Sequence, residues 1–311
     1  MLQPNDILDH VERVIIGKRP VLELALAAML IEGHVLIEDV PGVAKTLLAR
    51  TLARTFKLAF SRVQMTPDLL PSDLTGTSVW DERERTFSFQ QGPVFTQILL
   101  ADELNRATPR TQAGLLEAME EGTVSADGQR HPLPRPFFVL ATQNPVEQHG
   151  VFPLPEAQLD RFLIQISIGY PSLADERSIV EVQKTTHPLD HLEPLASAED
   201  FDRMQQALQS VHTDPSLVDY IVRLVQATRG RDDLLLGASP RASLSLHHLA
   251  RALAWIEGAS FVRPDQIKRA AGPVLRHRLV LSPQARLAGL KTDEIINELL
   301  DSVEAPIYTE S

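Results

Sequence analysis

The sequence predicts an α/β domain built on a mainly parallel sheet flanked by helices, followed by a smaller all-α domain. Three observations carry this expectation. Short apolar runs alternate with stretches of helical spacing through the first half of the chain. Residues 34 to 56 read as strand, tight loop, helix. Strand signals then stop around Gly169 to Asp175, and the rest reads as helices joined by polar loops. The expected division is 1–170 for the α/β core, 171–190 for a linker and 191–311 for the helical domain.

The elements follow in order. Asn5 is placed to cap a helix whose apolar positions Ile7, Leu8, Val11, Val14 and Ile15 keep helical spacing, with Gly17 as its stop. Pro20 starts a second helix. His34 to Ile37 is a short strand, and Lys45 to Phe56 a helix. Ala59 to Gln64 is a further strand, and Thr66 to Gly76, rich in Pro, Asp and Ser, reads as loop. Ser78 to Gln90 carries β-formers around the charged centre Asp81 to Arg85, the pattern of an exposed hairpin. Ile98 to Ala101 is an apolar strand ending in Asp102-Glu103. Thr108 and Pro109 open a helix to about Glu121. Asp127-Gly128 turns a hairpin between Thr123–Ala126 and the segment before Pro132. Phe137 to Ala141 and Phe162 to Ile168 are buried-type strands. Helical spacing returns over 198–211, 215–228, 240–257 and 264–279.

Composition narrows the function. The chain has 311 residues, 43% hydrophobic, enough for one large or two smaller cores. The formal net charge of −11 argues against a broad grip on nucleic-acid backbones, although a local basic channel is compatible with it. Cys is absent, which excludes disulfides, thiolate metal sites and a thiol nucleophile, and fits a reducing cytoplasm. The N-terminus lacks the basic-then-apolar order of a signal peptide. Val21 to Ile31 is too short to span a bilayer and reads as a core helix, so no membrane insertion is expected. No solenoid-type repeat is present.

Asp39-Val40-Pro41-Gly42-Val43-Ala44-Lys45-Thr46 lies between a strand and a helix. There backbone N–H groups can surround phosphates, and the helix dipole adds a positive end. Lys45 can reach the β- and γ-phosphates, and the Thr46 hydroxyl can ligate magnesium. The strict pattern wants Gly where Asp39 and Ala44 stand. Ala44 is tolerable with a helical φ; Asp39 is tolerable with its carboxylate turned away. The competing reading is a chance loop with a surface lysine. Asp102 and Glu103 sit where a parallel sheet presents its ligand-binding edge. Asp102 would hold magnesium, and Glu103 would polarise the attacking water. A solvated acidic loop is the alternative. Asn144, after the next strand, could orient that water, or be a turn residue before Pro145.

Taken together these residues resemble an AAA+ ATPase, and more narrowly the MoxR family. The resembling stretches are EDVPGVAKT at 38–46, residues 92–125, VLATQNP at 139–145, LPEAQLDRF at 154–162 and GASPRAS at 237–243. The resemblance implies a P-loop AAA+ core, hairpin insertions at about 76–90 and 123–136, and a helical lid. It implies ATP and Mg2+ as cofactors. Lys45 and Thr46 take Walker A roles, with Val40, Pro41, Gly42, Val43, Ala44 and Leu47 in the same loop and helix start. Asp102 and Glu103 take Walker B roles and Asn144 the sensor 1 position. Arg161 matches the arginine finger that acts on ATP in a neighbouring subunit, and Arg241 matches sensor 2. Ile16 and Gly17 become candidate adenine contacts. Family members form rings, commonly hexamers, and partners with von Willebrand factor A domains are implied.

Two of these assignments can be weighed physically. Arg161 could simply pair with Asp160 or Glu156 on the surface. Arg241 falls in the first turn of a helix capped by Ser239, where a cation opposes the dipole, so something anionic is expected to compensate. The hairpins could line a ring pore, or be plain surface features. Arg130 and Arg135 make no nucleic-acid site by themselves. His187 with His191, and His247 with His248, lack the further ligands zinc needs. Trp80 and Trp255 read as packing residues. The expected function is that of an ATP-driven, chaperone-like remodeller. A nucleic-acid motor, a nucleotide-dependent switch or scaffold, and a metal-chelatase motor subunit remain as alternatives.

Overall fold

The structure, a computed structural model, describes residues 2–40, 42–145, 150–182 and 188–306. The chain begins with helices α1 (Pro4–Glu12) and α2 (Arg19–Leu30), strand β1 (Val35–Glu38), helix α3 (Lys45–Thr55) and strand β2 (Phe60–Gln64). Helix α4 (Pro71–Thr75) and the hairpin β3 (Gly76–Asp81) with β4 (Thr86–Gln91) follow. Next come β5 (Ile98–Asp102), α5 (Pro109–Glu121), the hairpin β6 (Thr123–Ala126) with β7 (Gln129–Pro132), β8 (Phe138–Gln143), α6 (Glu156–Leu159) and β9 (Ile164–Ile166). The remainder holds α7 (Leu173–Val182), α8 (Ala198–Leu208), α9 (Pro215–Ala227), β10 (Leu234–Leu236), α10 (Pro240–Ile256), α11 (Pro264–Leu275), β11 (Val280–Leu281), α12 (Pro283–Leu287) and α13 (Thr292–Ser302).

The main sheet has the order β2-β5-β8-β1-β9, with β2–β5, β5–β8 and β1–β8 parallel. Its inner strands are buried on both faces: Ile98 to Leu100 and Phe138 to Ala141 are fully covered. That is why they read as continuous apolar runs rather than alternating ones. The order matters for function. β8 lies between β1 and β5, so the loops leaving the C-terminal ends of these three strands are neighbours.

Contacts divide the chain into two units. The first comprises residues 1–22, 34–161 and 166–201; the second comprises 23–33, 162–165 and 202–311. The second is the helical one, with Leu246, Leu249, Leu253, Ile267 and Val274 in its core.

Several local expectations need correction. Gln3, not Asn5, is the N-cap of α1; Pro4 takes the first helical position, and Asp6 accepts from the Gln3 N–H at 3.0 Å. Asn5 instead accepts from Arg19 at 2.7 Å. The loop expected over Thr66 to Gly76 contains α4, whose Asp73 accepts from the Leu70 N–H at 2.8 Å. The stretch read as a linker, 171–190, carries α7, whose first turn is closed by Ser172 Oγ accepting from the Asp175 N–H at 3.2 Å. Strands do not stop at 170, since β10 and β11 form a small antiparallel pair. Trp80 is 49% exposed on the first hairpin, edge-on to Phe87, so it packs only locally. Among the described residues no group of three or more acidic or histidine side chains is gathered as a metal site, and no helix is long and apolar enough to cross a membrane. His187 lies outside the described residues; His247 is partly buried and His248 is exposed at the surface, and desolvation by the surrounding protein lowers both pKa values.

The second unit contains a more deeply buried imidazole. His277 is held at Nε2 by the Phe162 carbonyl at 3.1 Å, and burial pushes its pKa well below the usual 6.5. A depressed imidazole binds its proton only in the unfolded chain, so stability falls as pH drops below about 6.5. We expect the wild type to lose about 1.4 kcal/mol more per pH unit below that point than His277→Gln. Urea unfolding at pH 7.5 and 5.5 measures this, and parallel acid limbs would contradict it.

Candidate phosphate and carboxylate site

Most residues of this site lie at or just after the C-terminal end of a parallel strand or start the next helix; Arg62, within β2, is the exception. The loop after β1 leads into α3, whose N-terminus begins at Lys45. Gly42 has φ +87 with open space around its Cβ position, as a loop wrapping an anion requires. Ala44 has φ +25. The helical φ that would have excused Ala44 is therefore absent; its Cβ sits in the left-handed region that favours glycine. Pro41 lies outside the described residues.

Asp39 does turn away. It is buried, and its Oδ2 accepts from Ser167 Oγ at 3.0 Å, the Ile168 N–H at 2.6 Å and the Gly169 N–H at 2.7 Å. Oδ1 accepts from the Val40 N–H at 2.9 Å. The carboxylate therefore anchors the chain after β9 to the start of the phosphate loop. Its main-chain carbonyl accepts from Lys45 Nζ at 2.9 Å, which holds the ammonium over the loop. Burial lowers the pKa of Lys45, while the carboxylates of Asp39, Asp102 and Glu103 oppose that shift. Asp39→Ala strands several buried donors, and we expect a loss of about 3 kcal/mol in unfolding free energy, read from urea denaturation. A loss within experimental scatter of zero would refute this account of the anchor.

Gly42, Val43, Ala44, Lys45, Thr46 and Leu47 line a cleft of 390 Å³ together with Arg62, Asp102, Glu103 and Asn144. Asp102 ends β5. Its Oδ2 accepts from Arg62 at 2.7 Å and its Oδ1 from the Thr142 hydroxyl at 2.7 Å. Glu103 has φ +59 and ψ +51, a left-handed conformation that costs a non-glycine residue on the order of 1–3 kcal/mol. Its N–H donates to Thr142 Oγ1 at 2.8 Å, which helps to hold that conformation. Its Oε2 accepts from Gln64 at 2.6 Å and Arg106 at 3.1 Å. Asn144, nearly buried, follows β8 between the two other loops.

Sequence reasoning missed Arg62, Gln64, Arg106 and Thr142. The signal for Gln64 exists only in the sheet register, which sets Gln64 opposite Asp102. Thr142 was visible as a hydroxyl two residues before Asn144, but its partners are 39 and 40 residues away.

The remaining expected residues do not line this cleft. Ile16 is half-buried, and Gly17, at φ +72, is seated so closely against Asp175 that a Cβ would collide with its carboxylate. Val40 is partly buried beside the cleft-lining loop. Arg161 pairs with Glu120 at 3.1 Å, not with Asp160 or Glu156 as the surface-pair alternative had it. Arg241 belongs to the helical unit, at the second position of α10, where Ser239 Oγ accepts its N–H at 3.2 Å.

Comparison with known proteins agrees with this architecture. Residues 34–164 match the ATPase family associated with various cellular activities (AAA), and residues 226–299 match the AAA lid domain. Chaperone MoxR1 of Mycobacterium tuberculosis is 44% identical over 96% of this chain and 81% of its own length. The chain belongs to the MoxR family of AAA+ ATPases. It is also similar to the uncharacterized protein YeaC of Bacillus subtilis, 47% identical over 96% of this chain and 94% of that one. The crystal structure of a "putative ATPase" from Cytophaga hutchinsonii superimposes with a TM-score of 0.91 at 38% identity, covering 97% of this chain and 94% of that one. The MoxR-type core and lid thus account for the cleft and the helical unit described above.

Proposed function

We propose that this chain hydrolyses ATP with Mg2+ as a subunit of a homo-oligomeric ring, a hexamer being the expected form. The cycle would remodel or mature partner proteins in the cytoplasm, von Willebrand factor A domain proteins first among them. One observation carries the chemical part: Lys45, Asp102, Glu103 and Asn144 line a single cleft at the C-terminal edge of the sheet. The name of the mycobacterial relative, Chaperone MoxR1, supports the remodelling part.

In this reading the N–H groups of Gly42 to Lys45 and the start of α3 hold the phosphates, and the Lys45 ammonium bridges the β- and γ-oxygens. The cleft offers hard oxygens, Thr46 and Asp102, and no imidazole, a donor set suited to Mg2+. Asp102 already draws a cation, Arg62, to Oδ2. Thr46 and Asp102 would hold the metal, which when bound offsets phosphate charge. Glu103 accepts a proton from the attacking water, with the Asn144 amide orienting that water. For this the carboxylate must leave Gln64 and Arg106. Arg161 of a neighbouring subunit, and Arg241 from the lid, neutralise charge developing on the γ-phosphate. Val40 and Leu47 shape the loop, and Ile16 with Gly17 contacts adenine.

The test is Mg2+-dependent ATP turnover per chain across a wide range of protein concentration. Specific activity climbing with concentration supports a finger supplied in trans. Activity independent of concentration from nanomolar upward contradicts the interfacial mechanism. Assembly driven by ATP without turnover would favour the switch reading. Stimulation by DNA would favour the nucleic-acid motor, which the net charge of −11 argues against.

A further inference from the structure

One of the places where the chain passes from one unit to the other is the peptide bond Arg161–Phe162. Phe162 to Gln165 groups by its contacts with the helical unit, and its last two residues also open β9 of the main sheet. A cluster of donors just beyond α11 holds this segment. Arg278 donates to the Phe162 carbonyl at 2.7 Å through Nη2 and to the Leu163 carbonyl at 3.0 Å through Nη1. His277 reaches the same Phe162 carbonyl; that oxygen only accepts, so Nε2 carries the proton. Arg276 adds a longer contact of 3.5 Å to the Gln165 carbonyl. Below the segment, Leu163 lies so close to Gly33 that a Cβ on Gly33 would come within 2.4 Å of it. Phe162 and Ile164 are fully buried.

Arg278 is only 5% exposed, and the same guanidinium also donates to the Val274 carbonyl and to Ser245 Oγ at 3.3 Å. Ser245 lies on α10, one turn beyond Arg241. A buried guanidinium is costly unless its donors are matched, and its planar fork can hold two adjacent carbonyls at once. Here it ties the two residues after Arg161 to the helix that carries Arg241.

We propose that Arg278 is a positioning residue that, by holding the Phe162 and Leu163 carbonyls, fixes the backbone next to Arg161 and so sets the finger offered to the next subunit. This rests on the reading of Arg161 as a finger in trans. No loop intervenes between Arg161 and the held carbonyls, so losing the Arg278 fork frees the backbone within one or two residues of Arg161. Arg278 touches no nucleotide in this scheme. Its loss misplaces the finger, and small misplacements of a reacting group are costly in rate.

The experiment mixes two inactive full-length chains. Glu103→Gln retains a finger but cannot hydrolyse; Arg161→Ala retains the hydrolytic residues but has no finger. Their mixture regains ATP turnover where a Glu103→Gln chain lends its Arg161 to an Arg161→Ala neighbour. Arg278→Met is then introduced into one chain at a time. The expected result is a loss about tenfold or more larger when it sits in the finger-lending chain than when it sits in the hydrolysing chain. Arg278→Lys, which keeps the buried charge but cannot fork across both carbonyls, should give the same order with a smaller difference. This second variant covers the case in which Arg278→Met does not fold. Equal losses in the two placements would make Arg278 a structural residue only and overturn the proposal. If the parent mixture shows no turnover, Arg161 is not a finger in trans, and the proposal falls with that reading.

Discussion

Glu103→Gln lowers ATP turnover per assembled chain by roughly 10²–10⁴-fold and leaves ATP affinity within about threefold of the wild type. The substitution is nearly isosteric. The new amide side chain is compatible with the left-handed backbone, the N–H at this position can still meet Thr142, and the side-chain oxygen can still accept from Arg106. What is lost is the basicity that accepts a proton. Lys45 and Thr46, the proposed phosphate-holding groups, are untouched, so binding should persist while chemistry stops. Turnover in a malachite-green assay, paired with fluorescent-ATP titration, separates the two. A variant retaining more than about a tenth of wild-type turnover would remove Glu103 from the general-base role.

Arg161→Ala is expected to lower turnover by roughly 10³–10⁵-fold in the assembled protein, the scale of other arginine fingers. In the isolated chain Arg161 pairs with Glu120, both side chains about one-third exposed (31% and 38%). Such pairs contribute roughly 0–1 kcal/mol, so the guanidinium can exchange Glu120 for a phosphate at little cost. The same weakness means the substitution should change unfolding free energy by no more than about 0.5 kcal/mol. A large stability loss with modest loss of turnover would assign Arg161 to structure instead. Rescue of turnover by mixing with Glu103→Gln chains locates the finger in trans.

These effects trace back to features of unequal legibility. The phosphate loop, the Asp102-Glu103 pair and Asn144 were readable because each is a short continuous stretch tied to a strand end. Ser239, Pro240 and Arg241 were readable because capping is a local hydrogen-bond problem. The N-cap of α1 was misassigned because Asn5 and Gln3 compete locally, and Asp6 decided in favour of Gln3. The β10–β11 pair was missed because its strands are 43 residues apart and each is only two or three residues long. Ala44 was misjudged because its backbone angle is imposed by the loop it closes, not by its own preference.

By itself the sequence determined the succession of the main-sheet strands and most of the longer helices, the chemistry available at each strand end and the family to which they belong. These rest on periodicity and on contiguous motifs, which act over a few residues. Only the tertiary structure decided partners. The order β2-β5-β8-β1-β9 places Gln64 and Arg62 beside the carboxylates of β5, and Thr142 between Asp102 and the Glu103 N–H. It also turned Asp39 toward residues 167–169, and gave the carbonyls after Arg161 to Arg278, 116 and 115 residues further on. A side chain's hydrogen-bonding capacity is fixed by its type, but which buried donor must be satisfied by which acceptor is settled only when distant strands and helices have packed.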